Sequence, residues 1–390
     1  MERIVSLMGF FRNRKLFKIS IITLFSAVYF SGCKMNANDE IWNKNASVYG
    51  AESVEGNNEG LSAKTSDEAF VFKGASISSD SPDYELIKEY DPDSKLTGFV
   101  ENYNSAMAML MYDDVISCTN NYSESISSDT VNSFYAPSEF LFNITDNEPV
   151  FAKQIYKRLY PASTTKLLTA YVTLKNNLLD EQVTISVDNG GIDRYGAQLC
   201  GFKTGDVIDM KSLLGAMLIY SGNDAASEIA RFTAGKINGI ATVDSFVGEM
   251  NKEIKLLGGL RSAFLNPHGL HEDNHYTCAY DMYLILNACN KIEGFDEIVK
   301  KSSITVNFKD SEGNAKELTF DNTNKMLSGE ESVPAGVTII GGKTGSTPYA
   351  GSCLIQMFEK SGKRYIVGVF GASSGDALYN EMRKLMDLAK

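Results

Sequence analysis

The sequence predicts an α+β fold, an antiparallel sheet with helices packed on it. Two observations carry that reading. The C-terminal end holds three strand-like runs, Val337–Ile340, Ser352–Phe358 and Arg364–Phe370, and the last two are joined by a short turn, Glu359-Lys-Ser-Gly-Lys363. Helical spacing of apolar residues recurs between the strand-like regions and closes the chain as an amphipathic helix over 377–388.

Taken in order, Ser105–Tyr112 and Glu139–Thr145 are strand-like, the second turning at Asp146-Asn-Glu-Pro149, with a Ser/Asn-rich loop over 117–134 between them. A helix fits Ser163–Leu179, with Leu167, Leu168, Tyr171 and Leu174 on one side. Two further helices, Lys211–Tyr220 and Asp224–Thr233, are broken at Ser221-Gly222, and Ala279–Asn290 forms another. There is no internal repeat.

The chain has 390 residues, 43% hydrophobic and 22% charged, which excludes a mainly disordered, collagen-like or coiled-coil protein. Asp and Glu number 49 against 37 Lys and Arg, a net charge of −12 that disfavours nucleic acid as a partner, because phosphate binding needs clustered cations. Basic residues (Arg3, Arg12, Arg14, Lys15, Lys18) precede an apolar run over 19–30 that is shorter than the ~20 residues a bilayer span needs. That is the pattern of a secretory signal peptide over 1–32. Its end, Phe30-Ser-Gly-Cys33, resembles a bacterial lipobox, so Cys33 is expected to become a lipidated N-terminus that anchors an exported protein to the outer face of the cell membrane. Five basic residues and one acid fall in the removed segment, so the charge moves from −12 to −16. Residues 33–98 read as an acidic flexible tether and 99–390 as the catalytic domain. Cys118, Cys200, Cys278, Cys289 and Cys353 show no CxxC pattern; one or two disulfides and free buried thiols are equally compatible with them.

Three short motifs carry chemistry: Ser163-Thr-Thr-Lys166, Ser221-Gly-Asn223 and Lys343-Thr-Gly345. Each alone is weak; together and in this order they form the set of the penicillin-recognising serine enzymes. Ser and Lys three apart share one helix face. A serine at a helix start lies near free N–H groups, and Pro161 supports a start there. Its hydroxyl needs a base, and a lysine becomes one only when burial and a second cation such as Lys343 disfavour its charge. Bringing a lysine from about 10.4 to near neutrality takes roughly 4 kcal/mol. In the third motif a hydroxyl and an ammonium suit a carboxylate, and the glycine leaves room for a substrate backbone.

The longer strings Tyr160-Pro-Ala-Ser-Thr-Thr-Lys-Leu-Leu-Thr169, Tyr220-Ser-Gly-Asn-Asp-Ala-Ala226, Phe264-Leu-Asn-Pro-His-Gly-Leu270 and Gly342-Lys-Thr-Gly-Ser-Thr-Pro348 closely resemble the serine-type D-alanyl-D-alanine carboxypeptidases, which are low-molecular-mass penicillin-binding proteins. The resemblance runs from about 137 to 390. It implies a β-lactamase/transpeptidase-like fold, an antiparallel sheet flanked by a helical subdomain. It also implies Ser163 as nucleophile, Lys166 as base, Ser221 and Asn223 as proton relay and amide holder, Lys343 as electrostatic partner, Thr344 and Gly345 at the substrate carboxylate, and the N–H groups of Ser163 and Ser346 as oxyanion donors. The implied substrate is a peptidoglycan pentapeptide ending in D-Ala-D-Ala, β-lactams would acylate the same serine, and no cofactor is required. The family's carboxylate-binding arginine is replaced by Leu378, and no C-terminal β-domain is expected after the catalytic one. A β-lactamase would carry Glu-x-x-Leu-Asn where this chain has Glu253-Ile-Lys-Leu-Leu257. A β-lactam- or cell-wall-binding protein with little turnover carries the same motifs.

His268, His271 and His275 lie close together with Glu272 and Asp273, which raises a zinc carboxypeptidase as a rival. No H-E-x-x-H helix is present, so no metal is expected.

Overall fold

The computed structural model describes residues 133–390 and the strand at 116–117. The signal segment 1–32, Cys33, Cys118, the tether 33–98 and the strand expected at Ser105–Tyr112 lie outside the described residues.

The strands are β1 (Ile116–Ser117), β2 (Ser138–Asn143), β3 (Glu148–Lys153), β4 (Gln182–Thr184), β5 (Val207–Asp209), β6 (Ser303–Lys309), β7 (Ala315–Asp321), β8 (Val337–Thr347), β9 (Gly351–Lys360) and β10 (Lys363–Ala372). They form a six-stranded sheet in the order β1-β3-β2-β10-β9-β8 and a four-stranded sheet in the order β4-β5-β6-β7, with all neighbours antiparallel. With the helices packed on them, this is the α+β arrangement that the sequence predicts.

The large sheet is buried on both faces, and alternation divides its side chains between two apolar layers. Phe140, Phe142, Ile366 and Phe370 enter the larger layer, while Leu141, Tyr365, Val367 and Val369 enter the smaller. The larger layer is covered by α1 (Lys166–Lys175), α2 (Met210–Gly215), α3 (Asn223–Asn238), α4 (Val243–Leu256) and α5 (Ala279–Asn290). The smaller is closed by the last helix, Gly375–Asp387, whose Tyr379, Met382, Leu385 and Met386 follow helical spacing and whose start is capped by the Ser374 hydroxyl.

Several expectations change. The helix expected over Ser163–Leu179 begins as a 3-10 turn, Ala162–Thr165, continues as α1 and stops at Lys175, where Asn176 and Asn177 leave helical geometry. The helix expected over 211–220 is α2 followed by a π-helical turn, Ala216–Tyr220, and the break at Ser221-Gly222 stands where expected. The strand expected over Val337–Ile340 runs on to Thr347, so Lys343-Thr-Gly345 lies inside β8. A bulge between Ile339 and Gly341 lets the strand continue, and a Cβ at Gly341 would come within 2.4 Å of the Val299 carbonyl oxygen. The second sheet and α4 were not anticipated, although Ser303–Lys309 alternates and Asp310-Ser-Glu-Gly-Asn314 is turn chemistry. Cys200, Cys278, Cys289 and Cys353 are free and buried, behaving as small apolar groups rather than disulfides.

Candidate active site

Two left-handed residues shape the turns that carry the first two motifs. Ala162 (φ 47°) turns the chain immediately before Ser163, and Ser221 (φ 72°) ends the π-helical turn before Gly222. A non-glycine residue in that region costs of order 1 kcal/mol or more and persists only where its surroundings hold it. Gly269 helps hold the first: a Cβ there would lie 1.7 Å from the Ala162 carbonyl oxygen. At Gly222 a Cβ would overlap the Cys200 sulfur at 2.2 Å. Asp224, at the start of α3, accepts from the backbone N–H groups of Cys200 and Gly201 at 2.9 and 2.8 Å, and so fixes the 198–201 segment against the S-x-N turn.

The structure brings Ser163, Lys166 and Asn223 into direct contact. Lys166 Nζ lies 3.0 Å from Ser163 Oγ, 2.7 Å from Asn223 Oδ1 and 2.7 Å from the carbonyl oxygen of His268. Burial, reinforced by the nearby Lys343 ammonium, holds Lys166 well below the usual lysine range. A neutral amine has two hydrogens and one lone pair. The two carbonyl oxygens can only accept, so they take the hydrogens and leave the lone pair facing the Ser163 hydroxyl. That arrangement can remove a proton from Ser163.

Lys343 is also fully enclosed, and burial pushes it down to about 7; its Nζ donates to the Thr344 carbonyl oxygen at 3.0 Å. The Thr344 hydroxyl is 2.6 Å from that of Thr323. β8 is the outer strand of its sheet, and at Gly345 it touches the serine turn. A Cβ there would stand 2.9 Å from the Ser163 nitrogen and 3.0 Å from that of Thr164. Glycine is therefore needed first for this contact, which brings the Ser163 and Ser346 backbones together. Ser221 is buried beside them without a hydrogen bond to Ser163 or Lys166 among the described residues.

The histidines have separate employment. His275 Nε2 is 2.9 Å from the Thr165 hydroxyl, and its Nδ1 accepts from the Leu265 N–H; burial brings it to about 4. His268 Nδ1 accepts from the Leu270 N–H, and burial, with Lys166 adding to it, lowers this ring as well. His271 stacks on Tyr349. Among the described residues no cluster of His, Cys, Asp or Glu is arranged to hold a metal ion. Glu253 is paired with Lys175 at 2.6 Å, and Lys175 ends a ten-residue helix that Lys166 begins, about 13 Å away. It is not poised over the serine as a deacylating carboxylate would be. Leu378 is buried in the smaller apolar layer, so no cation reaches the cleft from that position.

Sequence reading did not find the His268 carbonyl, Thr323 or Asp224. Every residue has a carbonyl, so no sequence signal marks the first; Thr323 lies 21 residues before Thr344; Asp224 directly follows the second motif and was the most accessible of the three.

Comparison with known proteins agrees with this geometry. The sequence model of peptidase S11, described as D-alanyl-D-alanine carboxypeptidase, matches residues 127–374. D-alanyl-D-alanine carboxypeptidase DacF of Bacillus subtilis is 30% identical over 260 residues, 65% of this chain and 62% of that protein. DacC of Escherichia coli is 29% identical over 238 residues, 59% of this chain and 55% of that protein. The chain thus spans somewhat over half the length of these two relatives. The crystal structure of the Streptomyces K15 DD-transpeptidase superposes with a TM-score of 0.57 at 27% identity, over 66% of this chain and 97% of that one.

Proposed function

The chain belongs to the peptidase S11 family of D-alanyl-D-alanine carboxypeptidases, and from that premise we propose that it removes the terminal D-alanine from peptidoglycan stem peptides through an acyl-enzyme on Ser163. The observation that carries this reading is the Lys166 amine, whose two hydrogens are taken by Asn223 Oδ1 and the His268 carbonyl while its third position meets Ser163 Oγ at 3.0 Å.

The geometry supports the following steps. A peptide ending in D-Ala-D-Ala lies along the open edge of β8, with its carboxylate at Thr344 and Lys343. Ser163 Oγ attacks the penultimate carbonyl carbon as its proton passes to Lys166 Nζ. The carbonyl oxygen, now an anion, is held by the N–H groups of Ser163 and Ser346; one such donor is worth about 2.7–4 kcal/mol of barrier. The C–N bond then breaks, and the proton returns through Lys166 and Ser221 to the amine of the departing D-alanine. Water cleaves the Ser163 ester and frees the enzyme. β-Lactams present the same carbonyl and carboxylate and acylate the same serine.

Incubation with a labelled penicillin followed by peptide mapping tests the site: label on the Ser163 peptide is expected, and label elsewhere overturns the assignment. Release of D-alanine from a D-Ala-D-Ala peptide tests turnover, and an acyl-enzyme lasting hours with that peptide would make the protein a binder instead.

We also propose that the protein works outside the cytoplasm, tethered to the membrane by lipid on Cys33. The Phe30-Ser-Gly-Cys33 string supports this. Cys33→Ala should release the protein or leave it unprocessed; a processed form that stays on the membrane would refute the anchor.

A further inference from the structure

A cavity of about 400 Å³ opens at the end of the large sheet where β8 turns into β9. Its wall includes Lys157, Arg158, Tyr160, Tyr349, Gly351 and Phe370, and no acidic residue contributes to it. Both segments that carry the oxyanion donors run into it: Tyr160 is three residues before Ser163, and Tyr349 three after Ser346. At ~3.4 Å per residue, the cavity begins within about 10 Å of the reacting carbonyl.

Its chemistry is distinctive in a chain of net charge −12. Lys157 and Arg158 are both exposed, and neither forms an ion pair among the described residues. Arg158 is fixed in place, lying 3.9 Å over the Tyr276 ring and donating to the Asp273 carbonyl oxygen at 2.8 Å, so its charge is oriented but not neutralised. Beside them Tyr349 stacks on His271 at 3.8 Å, Tyr160 meets the His271 ring edge-on at 4.7 Å, and Tyr349 remains 67% exposed. A large aromatic side chain held this firmly while keeping most of its surface open is a surface prepared for a ligand.

The direction of the substrate decides which ligand. With the terminal carboxylate at Thr344 and the reacting carbonyl at Ser346, the remainder of the peptide runs past Thr347 toward Tyr349. We propose that this cavity is the subsite for the part of the substrate on the N-terminal side of the acylated residue, and that Lys157 and Arg158 select a segment bearing a free carboxylate two to three residues ahead of the reacting D-alanine. The proposal rests on the carboxypeptidase reading for the orientation of the peptide.

The test uses competition, which does not depend on turnover. Two acetylated peptides, Ac-Glu-Ala-Lys-D-Ala-D-Ala and its Gln counterpart, compete with a fluorescent penicillin for Ser163, and the ratio of their half-inhibitory concentrations is taken within each variant. The Glu peptide should compete about tenfold better in the wild type at low salt, the effect expected of one charge-assisted contact. Added salt should narrow the ratio. Lys157→Gln should bring it toward one, and Lys157→Glu, a surface change that leaves the Arg158 contacts in place, should invert it. Equal competition by the two peptides in the wild type, absence of competition by either, or a preference that survives both substitutions would overturn the subsite. Failure of the carboxypeptidase reading shows differently, as peptides that compete with the expected ratio but release no D-alanine.

Discussion

Two clusters of like charge are buried on opposite faces of the same sheet. On the face toward the larger apolar layer lie Lys166 and Lys343, the latter directly opposite Ile355 of that layer. On the other face Glu139 in β2 meets Glu381 in the last helix. Desolvation acts on both clusters and drives each toward neutrality, the lysines down and Glu139 up to about 8. The difference is in the hydrogen bonds. Lys166 has three partners that orient its lone pair, whereas both carboxyl oxygens of Glu139 and one of Glu381 have none. In the first cluster neutrality comes with a fixed lone-pair direction. In the second it only relieves part of the cost of burial, with Lys153 3.9 Å from Glu139 and Lys384 3.3 Å from Glu381 as the nearby counter-charges.

The largest effects should come from breaking the oriented cluster. Lys166→Ala should slow acylation of Ser163 by labelled penicillin about 10²- to 10⁴-fold, the usual worth of a positioned base; a loss under tenfold would place the base elsewhere. Gly345→Ala should come next, because the new Cβ pushes on the Ser163 N–H and disturbs the oxyanion donors, for about 10²-fold in acylation rate with the fold intact by circular dichroism.

The lysine pair also makes a pH prediction with a defined sign. In the proposed mechanism acylation requires neutral Lys166, so its rate should rise with pH through that group's lowered pKa. It falls again as Lys343, brought to about 7, loses the charge that receives the carboxylate. Lys343→Gln removes one cause of the lowering, so the rising limb should move to higher pH while burial keeps it below an ordinary lysine. An unmoved limb would show that the two lysines do not communicate. Thr323→Val leaves the Thr344 hydroxyl without its 2.6 Å partner and should raise KM for the D-Ala-D-Ala peptide several-fold with little change in kcat.

The smallest effect belongs to the carboxylate cluster and appears in stability rather than rate. Glu139 is raised from 4.5 to about 8, so the folded state binds its proton more tightly than the unfolded state does. Its contribution is fully present below pH 4.5 and is lost as pH rises through about 8. Lys343 has the opposite sign, adding stability as pH climbs from about 7 toward 10.5, and the lowered Lys166 acts in the same direction. Glu139→Gln should therefore remove the decline between 4.5 and 8, raising the melting temperature by several degrees at the upper end with acylation unaffected.

The strands at the C-terminal end, the helix over Ala279–Asn290 and the break at Ser221-Gly222 were legible because period and turn chemistry are local signals. The second sheet is less legible, although its strands alternate. Only one side of its strands is covered, and short half-exposed runs such as Ala315–Asp321 carry few apolar residues.

By itself the sequence singled out the candidate reacting groups, since Ser163, Lys166, Ser221, Asn223, Lys343 and Thr344 stand in motifs whose spacing is recognisable along the chain. Only the tertiary structure decided how they are arranged. The Lys166 amine faces its serine because a carbonyl 102 residues away, at His268, and an amide 57 residues away, at Asn223, occupy its two hydrogens. Its charge is suppressed because the fold removes water from around it. Desolvation and hydrogen-bond direction are properties of assembled surroundings, and no run of residues along the chain contains them.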